Sequence, residues 1–272
     1  VGFFSSIPTR NDTIIYDERI HTSIKDGTKL GLSNKLTFKH NDSNDLENKI
    51  IKSQGDVYVA VESVYSMDGD LAPLEDYIQL VKKYGIYLIV DEAHAVGLYG
   101  EKGEGRCVEK NVENLIFARI ITFGKALGCH GACVVGSKNL KMFLMNHARS
   151  FIYSTALPPL VLKGVGLAYQ KLENDPGLVG NYHNKLNEFK KFAEKYSLQN
   201  INESPIQGIY LKNSDKVEKL AEKIRSKGYF VRSMRPPTVP EGTERIRLII
   251  HIFNTEKEIE GLLESIDSIT SH

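Results

Sequence analysis

Cysteine is scarce in this 272-residue chain: Cys107, Cys129 and Cys133 are an odd number and show no Cys-x-x-Cys spacing. That excludes a disulfide framework and offers no zinc-ligand pattern, so the three are expected to be reduced and structural, with no metal site. An excess of one charge is also missing. Thirty-five Lys and Arg balance 34 Asp and Glu for a net charge of +1, which leaves no basic footprint for a nucleic acid or an anionic membrane surface. No apolar run reaches the roughly 18 residues a spanning helix needs. The opening Val1-Gly2-Phe3-Phe4 lacks the basic flank of a signal peptide, and no segment recurs at a fixed period. The expectation is a soluble, cytoplasmic protein with no nucleic-acid partner, no membrane span and no solenoid, which holds any anion it binds locally.

What is present suits a globular domain. Hydrophobic residues make up 41% of the chain, charged residues 25% and aromatics 9%, ordinary values with enough apolar material for a sizeable core. The first residue is not Met, and the opening segment reads like the middle of a domain, so an N-terminal part of the parent is expected to be missing. Short β-type runs at Thr13 to Tyr16, Leu36 to Lys39 and the valine-rich Asp56 to Glu62 alternate with helix-type stretches. Leu74 to Tyr84 has the stripe of a helix covering a sheet, stopped by Gly85, and the unbroken apolar run Ile86 to Val90 follows. With further strands at Leu115 to Phe123 and Ala132 to Val135, this part reads as α/β, a mostly parallel sheet in a large domain, residues 1–157.

After Pro158-Pro159 the texture becomes helical from Leu160 to Leu172, up to the turn signal Asp175-Pro176-Gly177. Strands at Ile206 to Leu211, Tyr229 to Ser233 and Arg245 to Ile252, and a helix at Val217 to Lys227, complete a smaller α+β domain over residues 158–272. Its last helix opens on the capping box Thr255 and Glu258 and carries a stripe of Ile259, Leu262, Leu263 and Ile266.

The segment Tyr87 to His94 is a buried strand running into Asp91, and open α/β sheets place ligands beyond the carboxyl ends of their strands. Three readings compete. Asp91 could sit in a solvated turn, or it could hold a nucleotide-bound magnesium in a DEAH-type NTPase. The second requires a Gly-rich loop ending in Gly-Lys-Ser or Gly-Lys-Thr, whereas Gly124-Lys125 is followed by Ala126 and Arg119 stands where the first glycine belongs. The third pairs Asp91 with Lys125 in Thr122-Phe123-Gly124-Lys125-Ala126-Leu127-Gly128, where small residues leave room for a bulky ligand. An amine for a Schiff base and a carboxylate to keep a pyridine nitrogen protonated are what pyridoxal phosphate chemistry needs.

Five segments together resemble the α-oxoamine synthase family: Glu62 to Asp70, Asp91 to Ala95, Thr122 to Gly128, Phe151 to Pro159 and Arg235 to Pro240. They lie in that family's order and cover nearly the whole chain. The resemblance implies a fold-type I, aminotransferase-like protein dependent on pyridoxal 5'-phosphate. It implies a homodimer with shared active sites, which joins an amino acid to an acyl-CoA or acyl carrier protein thioester with loss of carbon dioxide. Within the family the Asp-Glu-Ala-His, Ser-Thr-Ala-Leu-Pro-Pro and Arg-Pro-Pro-Thr-Val-Pro runs look most like the biotin-biosynthesis branch, which uses L-alanine and a pimeloyl thioester. The serine-using and glycine-using branches are the alternatives.

The roles it implies suit each side chain. Lys125 would form the Schiff base and later act as base at Cα, and Asp91 would pair with the ring nitrogen. His94 and Ser66 would hydrogen-bond the ring's phenolic oxygen, and His21 would stack on the ring, although a histidine beside a helix start is often only a surface residue. Thr122, with Ser154 and Thr155 from the partner subunit, would hold the phosphate; plain turn capping is the bland reading of these hydroxyls. Arg245 and Arg247 fall on one face of a strand, and Arg247 would take the substrate carboxylate by bidentate pairing. Thr238 would contact substrate in the neighbouring subunit's site. The family's glycine-aromatic segment and its N-terminal substrate-binding arginine would lie before Val1, and Ile20 stands where relatives usually carry Asn.

Overall fold

The computed structural model describes residues 1–175, 177–198 and 200–270, so Pro176 of the expected turn lies outside the described residues. The chain forms two compact units. The first comprises Val1–Tyr65 and Leu71–Val179, and the second comprises Ser66–Asp70 and the chain from Gly180 onward. Helix Pro159–Asn174, which begins just after the expected division at residue 157, is therefore part of the first unit.

Six strands build the first unit's sheet: β1 (Thr13–Asp17), β2 (Asn34–Phe38), β3 (Val57–Glu62), β4 (Tyr87–Asp91), β5 (Ala118–Thr122) and β6 (Ala132–Gly136). Their order is β2-β1-β3-β4-β5-β6, parallel throughout except for the antiparallel β5–β6 pair. The central strands read as unbroken apolar runs because both faces of the sheet are covered. Val59, Val61, Leu88 and Val90 join a core with Leu46, Ile50, Leu74 and Tyr77 from helices Ser43–Ile51 and Leu74–Tyr84. The alternate residues Tyr58, Ala60, Ile89 and Ala118 meet Phe3, Phe4, Ile24 and Leu140 on the other face. Those four come from helices Gly2–Ser6, Thr22–Leu30 and Lys138–His147. Each fully buried side chain of this kind contributes about 1.5–3 kcal/mol over leaving it in water. Ile20 belongs to this second core and is 2% exposed, so its apolar character here is explained by packing.

The second unit holds an antiparallel sheet of β7 (Ile206–Tyr210), β8 (Arg232–Met234) and β9 (Arg245–Ile249), ordered β7-β9-β8. Helices Ser214–Ser226 and Glu256–Thr270 bury Val217, Leu220, Ile224, Ile259, Leu263 and Ile266 against Ile246 and Leu248. The expected capping box forms: Thr255 N–H donates to Glu258 Oε2 (2.8 Å), and Glu258 N–H donates to Thr255 Oγ1 (3.2 Å). Helix Gly177–Lys195 follows the expected turn and has no clear sequence signature. Its buried stripe of Val179, Tyr182, Leu186, Phe189 and Ala193 has helical spacing, but Asn and Lys residues interleave it and dilute the signal. No described helix is long and apolar enough to cross a membrane.

One buried polar junction ties the ends of β1 and β2. Asp17 is fully buried and accepts from His40 Nδ1 (2.9 Å) and from the backbone N–H groups of Arg19 (2.8 Å) and Asn41 (3.0 Å). Burial works against the charge, yet the His40 hydrogen bond and the two N–H donors outweigh it and hold the carboxyl below its ordinary 3.8. A depressed carboxyl contributes stability above its unfolded-state value and loses it as pH falls through the folded one. Asp17→Asn is therefore expected to cost about 1–3 kcal/mol at pH 7. In denaturant melts, the gap to wild type should narrow as pH drops below 3.8.

Candidate active site

Strand alternation sets the geometry at the carboxyl edge of β4 and β5. Asp91 closes β4 on the same face as Ile89, and the following Glu92 turns to the opposite side. There Glu92, fully buried, pairs with Arg119 and accepts the Cys107 N–H (2.9 Å). The two adjacent carboxylates thus have separate tasks, one in an internal ion pair and one facing the site. On β5 the residue opposite Asp91 is Ile120, so Thr122, one pleat further along, shares the Asp91 face.

Asp91 is 7% exposed and its Oδ1 accepts from Ala93 N–H (2.9 Å). Burial raises its pKa; the Ala93 hydrogen bond and the charges of Lys125 and, when protonated, His21 act in the opposite direction. Those charges place Lys125 and His21 within electrostatic reach of the carboxylate. Lys125 sits in a turn closed by Gly128 N–H to Lys125 O (3.0 Å), and its side chain is exposed. The turn packs onto the loop after Asp91 at Gly97, where φ is +89° and a Cβ would lie 2.7 Å from the Ala126 Cβ. His94 is half-buried in that same loop. His21 is the N-cap of helix Thr22–Leu30, its Nδ1 accepting from Ser23 N–H (3.2 Å). Nδ1 as acceptor leaves the proton of the neutral ring on Nε2.

These residues fit pyridoxal phosphate. Thr122 Oγ1 is buried with no hydrogen-bond partner among the described residues, a state that costs free energy unless a ligand such as a phosphate supplies one. The buried anion of Asp91 suits a protonated pyridine nitrogen, and Lys125 supplies the amine. The residues expected to serve a partner subunit's site lie at the surface of this chain. Ser154 and Thr155 are exposed, and the Ser154 hydroxyl donates to Ser150 O (2.7 Å).

Ser66, Arg247 and Thr238 belong to the second unit. Arg247 Nε donates to Ser66 O (2.9 Å), while Thr238 is exposed in a turn that its N–H closes onto Arg235 O (2.9 Å). Arg245 and Arg247 do share a face of β9 but differ in state: Arg245 is 3% exposed and paired with Asp68. Neither Glu92, Arg119 nor Asp68 was given a role from the sequence, since nothing in a run of residues shows which charges meet. The nucleotide-loop alternative does not fit, because Gly124-Lys125 leads through a turn into antiparallel β6 and not into a helix N-terminus.

The family model described as aminotransferase class I and II matches residues 3–266. The 8-amino-7-oxononanoate synthase of Emericella nidulans is 37% identical over 98% of this chain and 70% of its own length. A solved serine palmitoyltransferase from S. paucimobilis with bound PLP superposes with a TM-score of 0.92 at 25% identity, covering 99% of this chain and 71% of that one. The 8-amino-7-oxononanoate synthase from Francisella tularensis gives 0.85 at 28% identity, covering 99% and 78%.

Two outcomes test this site. Thr122→Val should leave cofactor-free stability within about 1 kcal/mol, because the hydroxyl makes no internal bond, and should weaken pyridoxal phosphate binding about 10- to 100-fold in a fluorescence titration. Asp91→Asn should melt at or above the wild-type temperature without cofactor, since a carboxyl whose pKa burial has raised opposes folding at neutral pH. The same variant should lose nearly all turnover, because an amide cannot hold a proton on a ring nitrogen.

Proposed function

The chain belongs to the class I and II aminotransferase family, among its pyridoxal phosphate-dependent α-oxoamine synthases, and we propose that it condenses L-alanine with a pimeloyl thioester to form 8-amino-7-oxononanoate. The observation that carries the chemistry is Asp91 buried at the end of β4 within electrostatic reach of Lys125, beside the partnerless hydroxyl of Thr122. The choice of alanine and a pimeloyl donor rests on relatives of that name at 32–37% identity over nearly the whole chain.

Bound pyridoxal phosphate supplies an electron sink for charge developing on the amino acid's Cα. The chain's own residues do the rest. Asp91 holds the proton on the ring nitrogen, and Thr122 donates its hydroxyl to the phosphate. His94 and Ser66 would donate to the phenolic oxygen, and His21 would stack on the ring. Lys125 Nζ, in its neutral form, takes the Cα proton. Arg247 binds the substrate carboxylate through its terminal nitrogens. A bond then forms between Cα and the acyl carbon, the thiolate leaves, and the carboxyl group departs as carbon dioxide. Lys125 returns a proton to Cα.

Homodimerisation and a cytoplasmic location are parts of the same reading. A stretch of exposed apolar side chains, Phe151 at 62%, Tyr153 at 74% and Leu160 at 81%, flanks Ser154 and Thr155 and supports a partner subunit covering this face. Ser154, Thr155 and Thr238 would then serve the site of the opposite subunit. The test is product formation by the cofactor-loaded protein. L-alanine with a pimeloyl thioester should release carbon dioxide and free thiol in equal amounts and give 8-amino-7-oxononanoate by mass. Faster turnover of L-serine with palmitoyl-CoA would replace this substrate pair with that of serine palmitoyltransferase.

A further inference from the structure

Five residues, Ser66–Asp70, fold with the second unit although the chain on either side belongs to the first. They are bolted to that unit at several points. Arg247 Nε donates to Ser66 O (2.9 Å), and two residues along both segments Arg245 Nη1 pairs with the Asp68 carboxylate. Tyr210 O–H donates to Asp68 Oδ1 (3.0 Å) and accepts from Arg245 Nη1 (3.0 Å), and the Arg245 guanidinium lies 4.6 Å from the Tyr210 ring centroid. Asn202 Nδ2 donates to Asp68 O (2.5 Å). Gly69, at φ +78°, passes so close to β7 that a Cβ would lie 2.1 Å from Ile206 O.

The two arginines of β9 end up in opposite states. Arg245 spends its donors on Asp68, Tyr210 and the Thr243 carbonyl (2.8 Å). Arg247, which is partly buried, has the Ser66 carbonyl as its one side-chain hydrogen-bond partner among the described residues. A guanidinium held through Nε and lacking a carboxylate presents its two terminal nitrogens as a fork for one. We propose that Asp68, Arg245 and Tyr210 form a positioning clamp. Asp68 neutralises Arg245 and holds the Ser66 carbonyl against Arg247, so that Arg247 alone faces the substrate carboxylate in a fixed orientation. The proposal rests on the α-oxoamine synthase reading and assigns positioning residues to it.

The test compares a ligand with its decarboxylated counterpart. In the cofactor-loaded protein, L-alanine and ethylamine differ by the carboxylate that Arg247 would bind. Asp68→Asn should raise the KM for alanine about tenfold, while ethylamine affinity, read from cofactor absorbance, cofactor loading and the KM for the thioester stay within about twofold. Because Asp68→Asn removes a counter-charge from buried Arg245, the neutral pair Asp68→Asn with Arg245→Gln should bring the alanine KM back to within about threefold of wild type. An unchanged alanine KM in folded Asp68→Asn overturns the clamp, as does parallel loss of alanine, ethylamine and cofactor binding. Should Asp68→Asn not fold, Tyr210→Phe decides: about a threefold rise in alanine KM with ethylamine unchanged supports the clamp, and no rise overturns it. A wild type that responds to serine and not to alanine contradicts the alanine reading alone, and serine against ethanolamine then tests the clamp.

Discussion

A carboxylate at the end of a fully apolar strand is the constraint around which the first unit is arranged. Asp91 is almost completely shielded, and burial disfavours its charge. An isolated buried anion would protonate or destabilise the fold, so its surroundings must favour the ionised form without satisfying it. One N–H from Ala93 and the nearby charge of Lys125 do this in part. The remaining imbalance is what a protonated pyridine nitrogen would relieve, so poor solvation in the free protein and affinity for the cofactor have the same origin.

Holding Asp91 there requires the strand end to stay rigid. Its neighbour Glu92 is fully buried on the opposite face, with Arg119 of β5 as counter-charge and Cys107 N–H as a second partner. Removing one member of such a pair is far more damaging than replacing both, so the pair constrains how the strand end can vary. The same β4–β5 register that brings Glu92 to Arg119 sets Thr122 on the Asp91 face with its hydroxyl unpartnered. The second unit repeats the logic on β9. Asp68 pairs with the charge of Arg245, and among the described residues no carboxylate pairs with Arg247.

Much of this is legible in the sequence. Periodicity identified the strands of the parallel sheet and helix Leu74–Tyr84, and the capping box at Thr255 and Glu258 marked the start of the last helix. These features depend on local spacing, and local spacing is what a sequence displays. Helix Gly177–Lys195 escaped because polar residues between its buried positions weaken the stripe. Among the site candidates, Asp91 and Lys125 stood out through their settings, an apolar strand end and a glycine-flanked turn.

The sequence by itself determined the fold class, the two carboxyl-edge segments that carry Asp91 and Lys125, and the family resemblance, because each resides in contiguous residues whose order is the signal. Tertiary structure decided which charges meet. Glu92 and Arg119 are 27 positions apart and Asp68 and Arg245 far more, so their pairing depends on strand register and on how Ser66–Asp70 joins the second unit. The difference between Arg245, paired with Asp68, and Arg247, held through Nε by the Ser66 carbonyl, arises in the same way. Two arginines at adjacent alternate positions look equivalent in a sequence; only their distant partners distinguish them.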